Sequence, residues 1–190
     1  MRQFGVLTIG HRTYRIQLLS NCFQIQFKGS VSILPEEVTN FIGKPTGTSI
    51  FEVEKGAIRK VADAIDDPNP LYWDEEYAKN SRYGSIIAPP GFFGWPTKWT
   101  KGGPFFSEAT EEIRSLLAKA GHSQTIDGGI DYAFFCPVRA GDTLAASSMI
   151  KHITERGDSA GKAVFVITET TYTNQNSDLV AKVRQISVHR

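Results

Sequence analysis

Residues 51–74, FEVEKGAIRKVADAIDDPNPLYWD, contain the pattern that decides the fold of this chain. Apolar residues recur within this stretch at helical spacing, at Ile58, Val61, Ala62 and Ile65. A helix is therefore expected over residues 54–64, after a strand over residues 48–53. Residues 66–70 end the helix, because their two prolines lack the amide hydrogen that a helix needs and restrict the residues before them.

After this stretch and two more helical segments, the pattern changes to that of β-strands. Four stretches are rich in Val, Ile, Thr, Tyr and Phe, and polar turn residues separate them. The predicted strands are residues 125–138, 143–155, 162–173 and 179–188. Helices thus come first and an antiparallel meander follows, which is an α+β arrangement whose sheet must cover an apolar segment. The candidate for that segment starts at Pro89.

Local signals also place three further helices. A short helix is expected over residues 35–43, where Pro and two acidic residues come first. Asp74 is expected to cap a helix over residues 75–80. Ser107 is expected to cap a third helix, which ends at Gly121.

Three motifs resemble the MaoC-like dehydratase family, and more closely its N-terminal, fatty-acid-synthase-like half. They are residues 51–74, IIAPPGF at residues 86–92 and PVRAGDTL at residues 137–144. The resemblance implies a hot-dog fold, in which a curved antiparallel sheet wraps around a central helix. We therefore expect one MaoC-like domain over residues 34–190, preceded by a basic extension, residues 1–30.

The family's hydratases carry D-x-N-P-(L/I/V)-H, whose Asp and His serve as base and acid when water adds to a 2-enoyl thioester. The resemblance places Asp67 at the Asp position and Tyr72 at the His position. A phenol, with a pKa of about 10 against about 6.5 for imidazole, is a poor proton shuttle at neutral pH. Asp67 and Tyr72 are thus predicted to form a degenerate catalytic pair. The alternative is that residues 67–70 are only an Asx-type turn that ends a helix.

An oxyanion site is predicted at the second motif. A developing enolate oxygen is stabilised by backbone N–H groups at a helix N-terminus. Pro89 and Pro90 have no N–H, so Gly91 and Phe92 are the first available donors. The alternative is that these residues merely begin a buried helix. The predicted substrate-binding residues are Asn69, Ala88, Pro90, Gly91, Phe92, Phe93 and Trp95.

Composition excludes several classes of function. The 190 residues include 21 Lys and Arg against 20 Asp and Glu, a balance that argues against nucleic-acid binding through a general basic field. No apolar run is long enough to span a bilayer. Two distant cysteines favour a reduced, cytoplasmic setting. Neither a metal-ligand spacing nor a nucleotide-binding loop is present, so we expect no metal, and no cofactor beyond the coenzyme A or acyl carrier of the substrate.

Residues 1–30 differ from the rest of the chain because they are basic and contain no acidic residue. Alternation over residues 23–27 is consistent with an added strand. An unstructured extension and, less well, an organelle transit peptide also fit this composition.

These observations favour one function and leave others open. The leading hypothesis is the acyl-thioester-binding subunit of a heteromeric (R)-specific enoyl-CoA hydratase or 3-hydroxyacyl-thioester dehydratase, with a second hot-dog subunit carrying Asp and His. A self-sufficient homodimeric hydratase and a non-catalytic acyl-CoA-binding module are the alternatives. A hot-dog thioesterase fits less well, because no carboxylate lies between Pro90 and Pro104.

Overall fold

The computed structural model describes residues 3–9, 12–18, 34–94, 107–158 and 161–190. The chain divides into two units, Met1–Val31 and Ser32–Arg190. In the first unit, strands β1 (Gln3–Ile9) and β2 (Arg12–Leu18) pair as an antiparallel hairpin. The alternation at residues 23–27 that suggests an added strand lies outside the described residues.

The described part of the second unit is built on a five-stranded antiparallel sheet, as the strand-rich half of the sequence predicts. Its strands are β3 (Pro45–Glu52), β4 (Thr125–Phe134), β5 (Thr143–Asp158), β6 (Gly161–Thr173) and β7 (Leu179–His189). Their spatial order is β3-β5-β6-β7-β4, so β3 and β4 form the two edges. The sheet and the helices that precede it confirm the α+β class.

The strand order corrects the expectation of a continuous meander. Only β5, β6 and β7 follow one another as neighbours, whereas β4 pairs with β7, with Tyr132 opposite Val183. The connection over residues 135–142 does not close a hairpin between β4 and β5. Its backbone is bonded elsewhere, since the Val138 carbonyl accepts from the Ala88 N–H at 2.8 Å.

Five α-helices are described, and two of them begin at the capping residues that the sequence predicts. They are α1 (Glu36–Thr39), α2 (Lys55–Ala64), α3 (Pro70–Trp73), α4 (Glu75–Asn80) and α5 (Glu108–Lys119). Asp74 Oδ1 accepts from the N–H groups of Glu76 and Tyr77, each at 2.9 Å, and caps α4. Ser107 Oγ accepts from the Thr110 N–H at 3.2 Å and caps α5. None of these helices is long and apolar enough to cross a membrane.

Buried side chains form two clusters. The turn-end core brings α2 and residues 86–93 against the sheet and includes the fully buried Ile58 and Leu144. The α5 core brings Leu117 of α5 against Ile150 of β5 and residues of β6. The segment that starts at Pro89 therefore reaches the core through Phe92 and Phe93, and the described helix that packs on the sheet in the second cluster is α5.

Candidate active site

The turn after α2 is a helix C-terminus closed by a Schellman motif. The Asp66 N–H donates to the Asp63 carbonyl at 3.1 Å, and the Asp67 N–H donates to the Ala62 carbonyl at 2.9 Å. Asp66 has φ +53°, the left-handed conformation that this motif requires and that glycine adopts at least cost. An aspartate therefore fills, with backbone strain, a position that favours glycine.

Two side-chain hydrogen bonds then lead the chain from this turn into α3. Asp67 Oδ1 accepts from the Asn69 N–H at 3.1 Å. Asn69 Oδ1 accepts from the Leu71 N–H at 3.1 Å and caps α3, which is absent from the sequence-based expectations. Asn69 followed by Pro70 is a cap residue followed by proline at the first helical position, and this signal was available in the sequence.

Asp67 and Tyr72 interact at this turn. The Tyr72 side chain is 6% exposed and belongs to the turn-end core. Burial is the main cause that raises the pKa of its phenol. The negative charge of Asp67 raises this pKa further, and Tyr83 makes the smallest contribution. Within the described part of the chain the phenol has no hydrogen-bond partner. The group therefore stays protonated near neutral pH, where it can donate a hydrogen bond but does not accept a proton.

Among residues 34–94, 107–158 and 161–190, no histidine is hydrogen bonded or ion-paired to Asp67. Strand β7 brings Ala181 into the turn-end core, and His189 lies at the other end of the same strand, roughly 26 Å away at about 3.3 Å per residue. His122 Nε2 lies 3.7 Å from Glu155 Oε1 beyond the end of α5. His152 is exposed on β5. The described residues thus give the turn a carboxylate without an imidazole beside it.

The three segments that carry the family resemblance meet at this turn. The Ile87 N–H donates to the Leu71 carbonyl at 3.3 Å, and the Ala88 N–H donates to the Val138 carbonyl at 2.8 Å. In the third segment, Oδ2 of the buried Asp142 accepts a hydrogen bond from the Arg139 N–H at 2.7 Å. These bonds hold the three segments in place, and they give Asp142 a structural role.

Residues 89–92 form a tight turn with Pro90 and Gly91 at its centre. Gly91 has φ +88°, which suits the third position of a type II turn, and the Phe92 N–H donates to the Pro89 carbonyl at 3.1 Å. The prediction that the Phe92 N–H is an available donor of the oxyanion site is therefore wrong. The positive φ of Gly91 closes the turn, so that this N–H is hydrogen bonded within it. The Gly91 N–H has no partner among the described residues. One turn of 3₁₀ helix, Phe92–Gly94, follows, and Trp95 lies outside the described residues.

Phe93 connects this turn to the sheet. Its ring centroid lies 4.5 Å from that of Tyr172 and 6.1 Å from that of Phe134. Tyr132 stacks on Phe134 at 5.6 Å, with ring planes 6° apart. These four residues are the aromatic cluster, of which the sequence-based prediction included only Phe93. Tyr132 and Phe134 are two residues apart on β4 and therefore lie on the same face of the strand. The sequence alone could have predicted this.

A cavity of about 80 Å³ lies between α5 and the sheet, beside the aromatic cluster. Phe93 and Tyr172 line it, and α5 contributes Ile113 and Arg114. The sheet contributes a floor of apolar side chains, such as Ile150 and Val166, and of polar ones, which are Thr168, Thr170, Gln185, Ser187 and His189. None of these floor residues belongs to a sequence motif, because only the strand pairing brings them together.

His189 is a deeply buried titratable residue of this floor, at 4% exposure. Its Nδ1 lies 3.2 Å from Thr125 Oγ1, and its Nε2 lies 3.1 Å from Ser187 Oγ. Burial lowers the pKa of His189 to about 4, and the positive charges of Arg114 and His122 contribute. The imidazole is therefore neutral near pH 7 and serves as a hydrogen-bonding group.

Residues 40–183, which include the Asp67 turn and the cavity floor up to Val183, match the family described as FAS1-like, dehydratase domain region. The chain belongs to this family. A UPF0336 protein from Streptomyces avermitilis is 35% identical to it over 115 residues, which cover 60% of this chain and 71% of the relative. A probable enoyl-CoA hydratase alpha subunit from Thermomonospora curvata is 28% identical over 135 residues, 67% of this chain and 41% of that protein. This chain thus spans less than half of the latter relative.

Solved structures share the fold of this chain. A chain of the ChsH1-ChsH2 complex from Mycobacterium tuberculosis superposes with a TM-score of 0.69 at 20% identity, over 83% of this chain and 96% of that chain. A MaoC-like dehydratase from Rhodospirillum rubrum superposes with a TM-score of 0.56 at 24% identity, over 78% and 92% of the two chains. The hot-dog fold and the MaoC-like resemblance are confirmed.

Proposed function

We propose that this FAS1-like dehydratase is the acyl-thioester-binding subunit of a heteromeric (R)-specific enoyl-CoA hydratase or 3-hydroxyacyl-thioester dehydratase of the cytoplasm. In the hydration direction a base takes a proton from water, the water oxygen bonds to C3 of the 2-enoyl thioester, and an acid protonates C2. In this proposal a second hot-dog subunit supplies the Asp and His. The substrate brings its own coenzyme A or acyl carrier, and no other cofactor is required.

The observation that carries the proposal is the phenol of Tyr72 beside Asp67. Burial and the Asp67 charge raise the pKa of Tyr72, so the phenol does not ionise near neutral pH and cannot serve as a base. Asp67 Oδ1 is already bonded to the Asn69 N–H. The pair therefore suits a wall of the substrate pocket better than a proton-transfer dyad.

The edge strand β4 supports a partner subunit. Four large apolar side chains on this strand or next to it are between 40% and 55% exposed. They are Ile126, Ile130, Phe134 and Phe135. Exposed apolar side chains on an unpaired sheet edge favour pairing with another chain. A relative described as an alpha subunit, and a fold shared with a chain from a two-protein complex, support a heteromer.

The direct test measures hydration of crotonyl-CoA by the purified full-length chain, followed as loss of the absorbance of the conjugated thioester. We expect no turnover by this chain alone, and turnover after addition of the co-purifying hot-dog subunit from the native cell. Turnover without a partner that is abolished by Asp67→Asn would refute the proposal and favour the homodimeric enzyme. Acyl-CoA binding without turnover in any complex would favour a binding module.

A further inference from the structure

The centre of the cavity floor holds two hydrogen-bonding groups without partners. Thr168 of β6 and Gln185 of β7 lie directly opposite each other in the strand register, and both line the cavity. The Thr168 hydroxyl has no hydrogen-bond partner among the described residues. Gln185 Nε2 donates to Asp127 Oδ1 at 3.3 Å.

That bond determines which way the Gln185 amide faces. A carboxylate oxygen accepts hydrogen bonds, so the amide nitrogen must point to Asp127. The carbonyl oxygen, Gln185 Oε1, is then left without a partner in the described part of the chain. A hydroxyl donor and a carbonyl acceptor therefore stand side by side on the floor.

The residues around this pair mix polar and apolar side chains. Towards His189, Ser187 is hydrogen bonded to the imidazole and lies opposite Val166. Towards the aromatic cluster, Val183 lies opposite Thr170. A plain alkyl tail that covered the Thr168 hydroxyl and the Gln185 carbonyl would displace water from them and leave them without hydrogen bonds, which costs free energy.

We propose that this cavity binds the distal end of an acyl chain that carries a hydroxyl group, which accepts from the Thr168 hydroxyl and donates to the Gln185 carbonyl. The inference rests on the proposed function, since it requires the thioester at the Asp67 turn and the tail beyond the aromatic cluster. A hydroxyl satisfies both partners because it donates and accepts. A keto group satisfies only Thr168, and a carboxylate brings negative charge close to Asp127.

The test uses the full-length chain and isothermal titration with pairs of saturated acyl-CoA thioesters, from hexanoyl to dodecanoyl, with and without an ω-hydroxyl group. For at least one chain length we expect the hydroxylated member to bind about fivefold tighter or better, as one to two net hydrogen bonds allow. Thr168→Val keeps the side-chain shape and removes the hydroxyl, and Gln185→Met removes the carbonyl. Each variant should bring the ratio of the two dissociation constants close to one.

Thr171→Val is the matched control, because Thr171 lies on the opposite face of β6 and should leave the ratio unchanged. Circular dichroism establishes that the variants are folded. Equal binding of both members at every length, or a preference that survives Thr168→Val, would overturn the inference while leaving the proposed function standing. Failure of every thioester to bind would overturn both.

Discussion

The two ends of the sheet use their polar side chains in opposite ways. At the turn end, Asp67, Asn69 and Asp142 each accept a hydrogen bond from a nearby backbone N–H. At the cavity end, Thr168 and Gln185 keep hydrogen-bonding groups that no described residue satisfies. The Asp and Asn side chains at the turn end hold the shape of their own turns, whereas Thr168 and Gln185 have hydrogen-bonding capacity left for a ligand.

This difference shows that the presence of the motif and the presence of catalytic activity are separate questions. Asp67 and Asn69 shape the end of one helix and the start of the next, and these hydrogen bonds do not involve the side chain at position 72. The turn therefore survives with Tyr72 in place of histidine. A retained Asp-x-Asn-Pro segment is evidence for the fold of the turn, and proton transfer needs separate evidence.

The largest effect is expected from returning an imidazole to the turn end. Tyr72→His should raise crotonyl-CoA hydration by the chain alone roughly 100-fold or more above the wild-type background, because a general acid would then lie beside Asp67. Tyr72→Phe is the control and should produce no gain. If the wild-type chain is already active and Tyr72→Phe abolishes that activity, the phenol itself transfers protons and the contrast between the two ends fails.

Matched leucine truncations compare the packing of the two ends. Leu144 in the turn-end core and Leu117 in the α5 core are both fully buried. Each Leu→Ala change should lower the free energy of unfolding by about 2–5 kcal/mol in urea titrations. A much smaller loss for Leu117→Ala than for Leu144→Ala would mean that the sheet under α5 is loosely packed.

Acid should weaken the cavity end through His189. Its pKa is lowered from 6.5 to about 4 in the folded protein, so the unfolded chain binds a proton that the folded chain does not. Stability should therefore fall as the pH decreases from about 6.5 to about 4, by at most about 3 kcal/mol from this residue. Urea titrations of His189→Gln should show a shallower pH dependence over this window. A slope unchanged by His189→Gln would mean that this residue does not carry the pH dependence.

A buried hydroxyl pair in the floor of the same end should show strong coupling. Ser148 Oγ and Thr170 Oγ1 lie 2.8 Å apart, and both residues are buried. Thr170→Val should cost about 1–3 kcal/mol because it leaves the Ser148 hydroxyl unsatisfied. The double variant with Ser148→Ala should cost less than the sum of the single changes. Additive losses would indicate that each hydroxyl has another partner.

The smallest effect is expected from relieving the strain at the turn end. Asp66→Gly should raise the free energy of unfolding by about 1 kcal/mol or less, because glycine adopts the positive φ at lower cost. Asp63→Gly within α2 should instead lower stability by a similar amount. A loss of stability for Asp66→Gly would mean that the aspartate side chain contributes more than its backbone strain costs.

Much of the fold was predictable because its signals are local. The caps at Asp74 and Ser107 and the β-rich stretches of the second half reflect interactions between residues close in sequence. The position of β4 was not predictable in this way. Its pairing with β7 joins residues more than 50 positions apart, such as Tyr132 and Val183, and turn composition carries no information about such pairs.

The sequence by itself determined the turn and its missing imidazole, since the bonds around Asp67 and Asn69 span at most five residues and position 72 can be read directly. Only the tertiary structure placed Thr168 opposite Gln185 and formed a cavity between α5 and the sheet with these two side chains in its lining. Side chains share a strand face according to the register between strands, and that register is set by long-range backbone pairing and bulges.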